Sequence, residues 1–245
     1  MAHEFDKAAE LGVPSLVWRA GQDRRLDQIY RAAGQTLHET SRALVNGCGV
    51  GMYNRALLEI TPTVYGLDVE FDRVQQAAQY GKKVIIAKGE TLPYPDDYFD
   101  LVLSNEVIEH VEDDARYAVD LVRVLKPGGR GIIFCPNRLW PFEVHGHYWK
   151  GQYHFGNTPL INYLPDVWRD KLAPHVRIYT TGKLQRLFEE TPTRIISPTQ
   201  VYPPLDNVIY RAPALGKIVR SVLFQLEKTP LRVFGISHLM VVEKI

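Results

Sequence analysis

The run Val45-Asn46-Gly47-Cys48-Gly49-Val50-Gly51 is suited to meeting a polar ligand with backbone alone. Three glycines alternate directly behind the apolar run Ala43 to Val45. Glycine adopts backbone conformations that other residues resist, so its N–H groups can approach a ligand closely, and a helix starting there adds partial positive charge. Tyr65-Gly66-Leu67-Asp68 then ends a second apolar run on a carboxylate, with Val69 beside it. An acid at the end of the second strand of a βαβ unit suits the two hydroxyls of a ribose. The simpler role for Asp68 is a helix N-cap, which aspartate also serves well. Loop and acid together in one unit favour the ribose.

Two further landmarks follow in order. Glu90-Thr91-Leu92-Pro93-Tyr94-Pro95 precedes Phe99-Asp100-Leu101-Val102-Leu103-Ser104-Asn105-Glu106-Val107-Ile108-Glu109-His110-Val111. Val122-Arg123-Val124-Leu125-Lys126-Pro127-Gly128-Gly129 then runs into Gly131-Ile132-Ile133-Phe134. As an ordered set, these segments resemble the class I S-adenosylmethionine-dependent methyltransferases, most closely the small-molecule branch that includes quinone and sterol methyltransferases. The resemblance covers about residues 40 to 136 and a final strand near the C-terminus.

The resemblance implies S-adenosyl-L-methionine as cofactor. Gly47, Gly49, Gly51 and the backbone of Cys48 would surround its methionine end. Asp68 would meet the ribose, Val69 beside it would also touch the cofactor, Gly89 and Glu90 would meet the adenine, and Asn105, Glu106 and His110 would line the cleft. Two positions depart from the family's pattern. Val45 stands where the family has an acid two residues before the first glycine, so Asn105 and Glu106 are expected to receive the cofactor's ammonium. Lys88 stands where an acid accepts a bond from the adenine amino group, and lysine has no lone pair to accept with. Glu90 or a backbone carbonyl would take over; a solvated loop carboxylate is the other reading of Glu90.

These groups must be positioned by alternating elements. Helical spacing is expected over Asp23 to Leu37, Met52 to Glu59 and Asp72 to Tyr80. Apolar or β-branched runs predict strands at Val64 to Asp68, Lys83 to Ala87, Leu101 to Ser104 and Arg130 to Cys135. The clearest helix carries Ala115, Ala118, Val119, Val122 and Leu125 on one stripe and is expected to stop at Pro127-Gly128-Gly129, with His110 on the helix after strand four. The fold class is therefore α/β, a Rossmann-like, mostly parallel sheet covered on both faces. The resemblance implies seven strands with a terminal antiparallel pair, here Thr193 to Gln200 with His238 to Glu243. Between these two lies an apolar helix, Leu215 to Leu226, for which packing against the body is expected and contact with a membrane or lipid is the alternative. A single domain is expected: residues 1–40 helical, 41–136 the cofactor-binding core, 137–180 a cap insertion, and 181–245 the C-terminal helices and strand pair.

The pattern breaks between Pro136 and Thr181, where three of four tryptophans and four of eight histidines lie. A long insertion after a sheet strand is usually functional or disordered, and aromatic richness argues against disorder. It leaves the carboxyl end of strand five, the ligand face of a parallel sheet. It is expected to cap the acceptor, with Trp140, Phe142, Tyr148 and Trp149 as an apolar wall. Methyl transfer to oxygen or nitrogen needs orientation and a base near neutral pH. His145 is the first candidate base, Glu143 the second, with His147 and Tyr148 beside them; ordering the cap by hydrogen bonds is the alternative. His145, His147 and His154 lack an established metal-ligand spacing, so no metal site is expected.

Bulk properties narrow the class. The chain has 245 residues, 45% of them hydrophobic, enough for a full core. A net charge of +1 gives no reason to expect nucleic acid. Two cysteines exclude a disulfide framework, and Met1 to Lys7 carry no apolar signal, so a reducing, cytoplasmic setting is expected. The expected function is methyl transfer to a small or lipid-like acceptor, at oxygen or nitrogen rather than carbon. A catalytically silent methyltransferase-like module and a nicotinamide-dependent oxidoreductase are the alternatives. Peripheral membrane contact stays open, and the acceptor and oligomeric state are not legible.

Overall fold

The computed structural model describes residues 20–245, so the helical segment expected over residues 1–40 is described only in part, and the first seven residues lie outside it. Helix α1 (Ala20–Ala33) leads to β1 (Ala43–Asn46), α2 (Met52–Leu58), β2 (Val64–Asp68), α3 (Phe71–Ala77), β3 (Val84–Ile86), β4 (Phe99–Asn105), α4 (Asp114–Arg123) and β5 (Leu125–Pro136). The segment after β5 holds two small two-stranded sheets, β6 (Phe142–Glu143) with β9 (Thr158–Pro159) and β7 (His147–Trp149) with β8 (Gln152–His154), then α5 (Asp166–Leu172). Helix α6 (Thr181–Arg186), β10 (Thr193–Val201), α7 (Asp206–Arg211), α8 (Pro213–Leu226) and β11 (Ser237–Lys244) complete the chain.

The main sheet runs β10-β11-β5-β4-β1-β2-β3. Strands β1 to β5 pair in parallel, and β11 pairs antiparallel with β5 and β10, as the resemblance implied. Alternation along each strand sorts side chains to two faces. Leu44, Val102, Ile133 and Met240 meet Tyr117, Ala118, Leu121 and Val122 of α4 and Leu184 of α6. Ala43, Val45, Leu101, Leu103, Ile132 and Phe134 meet Ile29 and Ala33 of α1, Leu57 of α2 and Ala77 of α3. Each fully buried leucine, such as Leu103, contributes roughly 2 kcal/mol. Strand order reverses between β1 and β4, and the crevice outside their carboxyl ends is where an α/β sheet binds ligands.

Several expectations are corrected. Helix α4 ends at Arg123, and Leu125 to Gly129 belong to β5. Five positions along β5, Leu125 to Arg130, match two along β4, Phe99 to Leu101. The excess bulges out, with Gly128 at φ +78°. The buried face of α4 is Tyr117, Ala118, Leu121 and Val122, whereas Val119 is exposed. His110 sits in a turn, because α4 starts only at Asp114, where the Asp113 side chain accepts from the Arg116 N–H. The apolar stripe of α8 does not pack inward: Leu215, Ile218, Val219 and Val222 are exposed, and Gly216 is the buried residue, against Ile209. Among the described residues, no helix is long and apolar enough to cross a membrane.

The two edges of the sheet differ from its middle. Strand β3 has three residues, with Ile85 and Ile86 exposed between Lys82-Lys83 and Lys88. Strand β10 carries the exposed Pro198 and a register break between Ile195 and Ser197.

Candidate functional site

A cleft of about 680 Å³ opens at the switch point, within the usual size of small-ligand pockets. Its floor is the glycine loop. Gly47, Gly49 and Gly51 have φ of +74°, +52° and +85°, all in the left-handed region. A Cβ at Gly51 would meet Ala77, and one at Gly47 would strike Val107, so the loop can exist only without side chains there. Cys48 donates its N–H to the Leu67 carbonyl, and burial, followed by the Asp68 charge, pushes its thiol up to about 12. Its part is backbone, as expected.

Asp68 is buried at the end of β2. Its carboxylate accepts from the Gly49 N–H at 2.8 Å and the Glu70 N–H at 3.1 Å, with the Arg73 guanidinium at 4.0 Å. The acid thus ties the glycine loop to β2 and still lines the cleft, together with Val69. At the other end, Gly89 has no room for a side chain, since a Cβ would lie 2.8 Å from Tyr117 and 2.9 Å from Asn46 Oδ1. Asn46 donates to the Gly89 carbonyl at 3.1 Å, and its buried Oδ1 has no hydrogen-bond partner. Glu90 is buried and accepts from the Glu112 N–H, so the solvated-loop reading falls. Lys88 pairs with Glu112 at 2.6 Å, and both line the cleft.

The missing acid at Val45 has a counterpart. Val45 lies in the core among the residues facing α1 and α2. A carboxylate lining the same cleft comes from Glu106, held with φ +55°. Arg25 of α1 donates to Asn105 Oδ1 at 2.8 Å and Glu106 Oε1 at 2.9 Å, and Ser237 donates to Glu106 at 2.7 Å. Burial opposes ionisation of Glu106, but the Arg25 charge outweighs it and holds the carboxyl below its ordinary value. Asn105 and Glu106 thus already carry one cation, the Arg25 guanidinium, on their side chains. Arg25 lines the cleft, as do Gly21, Gln22, Tyr53, Pro203, Pro204, Asp206 and Ile236. Helix α1 is held there by Gly21, which donates to Asp206 at 3.0 Å, and by the Arg24–Glu227 pair. Sequence reasoning missed this wall. A single signal for it was present: Arg25 stands four positions, about one helical turn, before the buried Ile29 of α1.

From the cap, only Pro136, Val144 and His145 line the cleft. The expected aromatic wall is elsewhere: Trp149 is exposed, and Trp140 packs on Phe142 and Tyr202. His147 stacks on His154 and bonds Thr158, away from the cleft. Glu143 does not reach the cleft either. It is 1% exposed, accepts from Arg169 at 3.0 Å, and accepts from the backbone N–H of His145 at 2.8 Å and its Nδ1 at 3.2 Å. Burial pushes its carboxyl up, but bonds and charge from His145, then Arg169, bring it down to about 2. So Glu143 is too weak a base, and it orients His145 instead. His110 faces His145 with ring centroids 5.7 Å apart, and burial, then His145, lower it to about 4. Beside them Glu109, 1% exposed, is raised well above the ordinary range by burial and the Glu106 charge.

Residues 44–133 match the family model described as "Methyltransferase domain". A probable S-adenosylmethionine-dependent methyltransferase of Mycolicibacterium smegmatis is 31% identical over 137 residues, 53% of this chain and 51% of that protein. A 2-methyl-6-phytyl-1,4-hydroquinone methyltransferase of Synechocystis is 30% identical over 139 residues, 54% of this chain and 42% of that protein. This chain thus spans about half the length of the curated relatives it matches. A solved S-adenosylmethionine-dependent methyltransferase from Mesorhizobium loti superposes with a TM-score of 0.60 at 19% identity, covering 89% of this chain and 96% of the other. The fold is that of these methyltransferases.

Proposed function

We propose that this chain, whose residues 44–133 are a methyltransferase domain, transfers the methyl group of S-adenosylmethionine to an oxygen or nitrogen of a small molecule. The observation that carries the reading is one cleft lined by the glycine loop, the buried Asp68 and two imidazoles, His110 and His145. When bound, the cofactor supplies a methyl group on a sulfonium, which moves in line to a nucleophile.

The chain's residues divide the work. Gly47, Gly49 and Gly51 admit the methionine end close to the backbone. Arg25, with Asn105 and Glu106 behind it, offers a guanidinium to the cofactor's carboxylate and a Glu106 oxygen to its ammonium. Asp68 receives the ribose hydroxyls, and Val69 and Gly89 flank the adenine, where the buried Glu90 is the acceptor near its amino group. His145, held by Glu143, meets the acceptor. A hydroxyl-bearing acceptor of the hydroquinone kind fits the polar end of the cleft, and the Synechocystis relative acts on such a compound by its name. The single-domain layout and cap boundary at 137–180 remain part of this proposal.

Calorimetric titration with S-adenosylmethionine and its demethylated product is the test, with micromolar affinity or better expected. Silence to both, with binding of a nicotinamide cofactor, would sink the reading in favour of an oxidoreductase. Binding without turnover on any phenol or amine would leave a silent module. Within the same titration, Asp68→Ala should weaken the cofactor by about 2 kcal/mol or more, since charge-assisted bonds are lost and their partners left unpaired. Asp68→Asn should keep part of the affinity. Equal affinity in a folded alanine variant would confine Asp68 to tying Gly49 and Glu70.

A further inference from the structure

We propose that Glu109, His110 and His145 form a binding site for one transition-metal dication, zinc first, at the acceptor end of the cleft. One ligand atom from each of the three lies within 4.8 Å of the others. Around tetrahedral zinc, ligand atoms stand about 3.4 Å apart, so closing the set takes side-chain movements of about an ångström. Two histidines and a glutamate are a donor set that zinc accepts with its fourth position left open.

Two independent features point to a cation there. The first is Glu109: it is 1% exposed, and neither carboxylate oxygen has a hydrogen-bond partner. A buried carboxyl group with no donor is costly, and a cation is the partner it lacks. The second is the way both imidazoles are held. His145 donates Nδ1–H to Glu143 Oε1 at 3.2 Å, and Glu143 is fixed in turn by Arg169. His110 donates Nδ1–H to the His175 carbonyl at 3.3 Å. Each ring is therefore fixed in orientation with Nδ1 engaged, which makes Nε2 the nitrogen left for a metal, the arrangement that carboxylates and carbonyls impose on metal-binding histidines. His110 and His145 line the cleft, so the open position faces it. The set expected to be inert by spacing, His145 with His147 and His154, does not assemble, because His147 and His154 stack on each other outside the cleft.

What the cation would do rests on the methyl-transfer reading. A hydroxyl of the acceptor taken at the open position becomes more acidic, releases its proton to water, and presents its oxygen to the methyl group. His145 then meets the acceptor through the cation.

The test uses the full chain, stripped with a chelator and titrated with zinc chloride by calorimetry, with retained metal counted by mass spectrometry after gel filtration. About one zinc per chain is expected, lost in Glu109→Gln and in His110→Ala, and unchanged in His147→Ala. Glu143→Gln, which weakens the bond behind His145 and removes the anion facing Arg169, should weaken zinc about 10–100-fold in protein shown to be folded by thermal melting. Cobalt in the wild type should show the visible bands of a four-coordinate site, a signature that a loose surface ion does not give. Should Glu109→Gln fail to fold, as judged by thermal melting, His110→Ala carries the comparison. Absence of stoichiometric zinc in the wild type overturns the proposal, as does zinc kept in Glu109→Gln and lost in His147→Ala. S-adenosylmethionine is titrated into the same stripped protein. Heat there without zinc uptake refutes the cation site and leaves methyl transfer standing; zinc uptake without that heat does the reverse.

Discussion

Arg169→Ala should cost the protein about 3–5 kcal/mol of stability, because it leaves a buried carboxylate without its cation. Arg169 is 2% exposed and Glu143 1%, and Arg169 also bonds the Ala173 and Val176 carbonyls. None of these partners can turn to water. Denaturant melts at neutral pH would give the number directly, and a loss under about 1 kcal/mol would mean that the site relaxes around the gap. The pH dependence gives a second measure. The Glu143 carboxyl is held at about 2 in the folded chain, against an ordinary 4.5. A carboxyl with a depressed folded value contributes stability above its unfolded value, and that stability is lost as pH falls through the folded one. Wild-type stability should therefore drop between about pH 4.5 and pH 2, by on the order of 3 kcal/mol from this group. In Arg169→Ala the drop should be smaller, since one of the forces lowering Glu143 is gone.

His145→Ala should lower turnover by about 100-fold or more while leaving cofactor affinity nearly unchanged. Its ring lines the cleft facing His110 rather than bonding Asp68 or the glycine loop, and its backbone N–H bond to Glu143 survives the substitution. The measurement is kcat on an accepted phenol or amine, beside a calorimetric Kd for S-adenosylmethionine. A fall in rate that tracks a fall in melting temperature would reduce His145 to ordering the cap. Glu143→Gln, which keeps the shape, should lose part of the same rate, because His145 then loses its anionic acceptor.

The frame of the fold was legible because it obeys short-range rules. Val64 to Asp68 and Met52 onward emerged with their own boundaries from alternation and glycine punctuation alone. The loop at Gly47 to Gly51 and the acid at Asp68 were legible for the same reason: their chemistry is set by residues a few positions apart. What failed was what depends on distant chain segments. Lys126-Pro127-Gly128-Gly129 reads as a stop, and only pairing with Phe99 and Leu101 makes it a bulge inside β5. Glu143 and His147 carry the right atoms for proton transfer, but Arg169, 26 residues on, claims the first, and His154 the second. The cap's tryptophans suggested a wall that α1, Tyr53 and Pro203-Pro204 supply instead. Arg25 was invisible as a site residue because its partners, Asn105 and Glu106, lie 80 and 81 residues away.

The ends of the sheet bear on how the chain behaves in a crowd. A seven-stranded sheet presents two open rows of backbone donors and acceptors, templates on which a neighbour could add a strand. Here one row is three residues long, with lysines on either side of its exposed isoleucines, so a second molecule approaching it meets like charge before it meets backbone. The other row is broken by a shift at Ile195 to Ser197 and by Pro198, which has no N–H to offer. Strand exchange between copies finds no purchase at either end. Away from these edges, what α8 presents outward is side chain rather than backbone, the apolar stripe of Leu215, Ile218 and Val222.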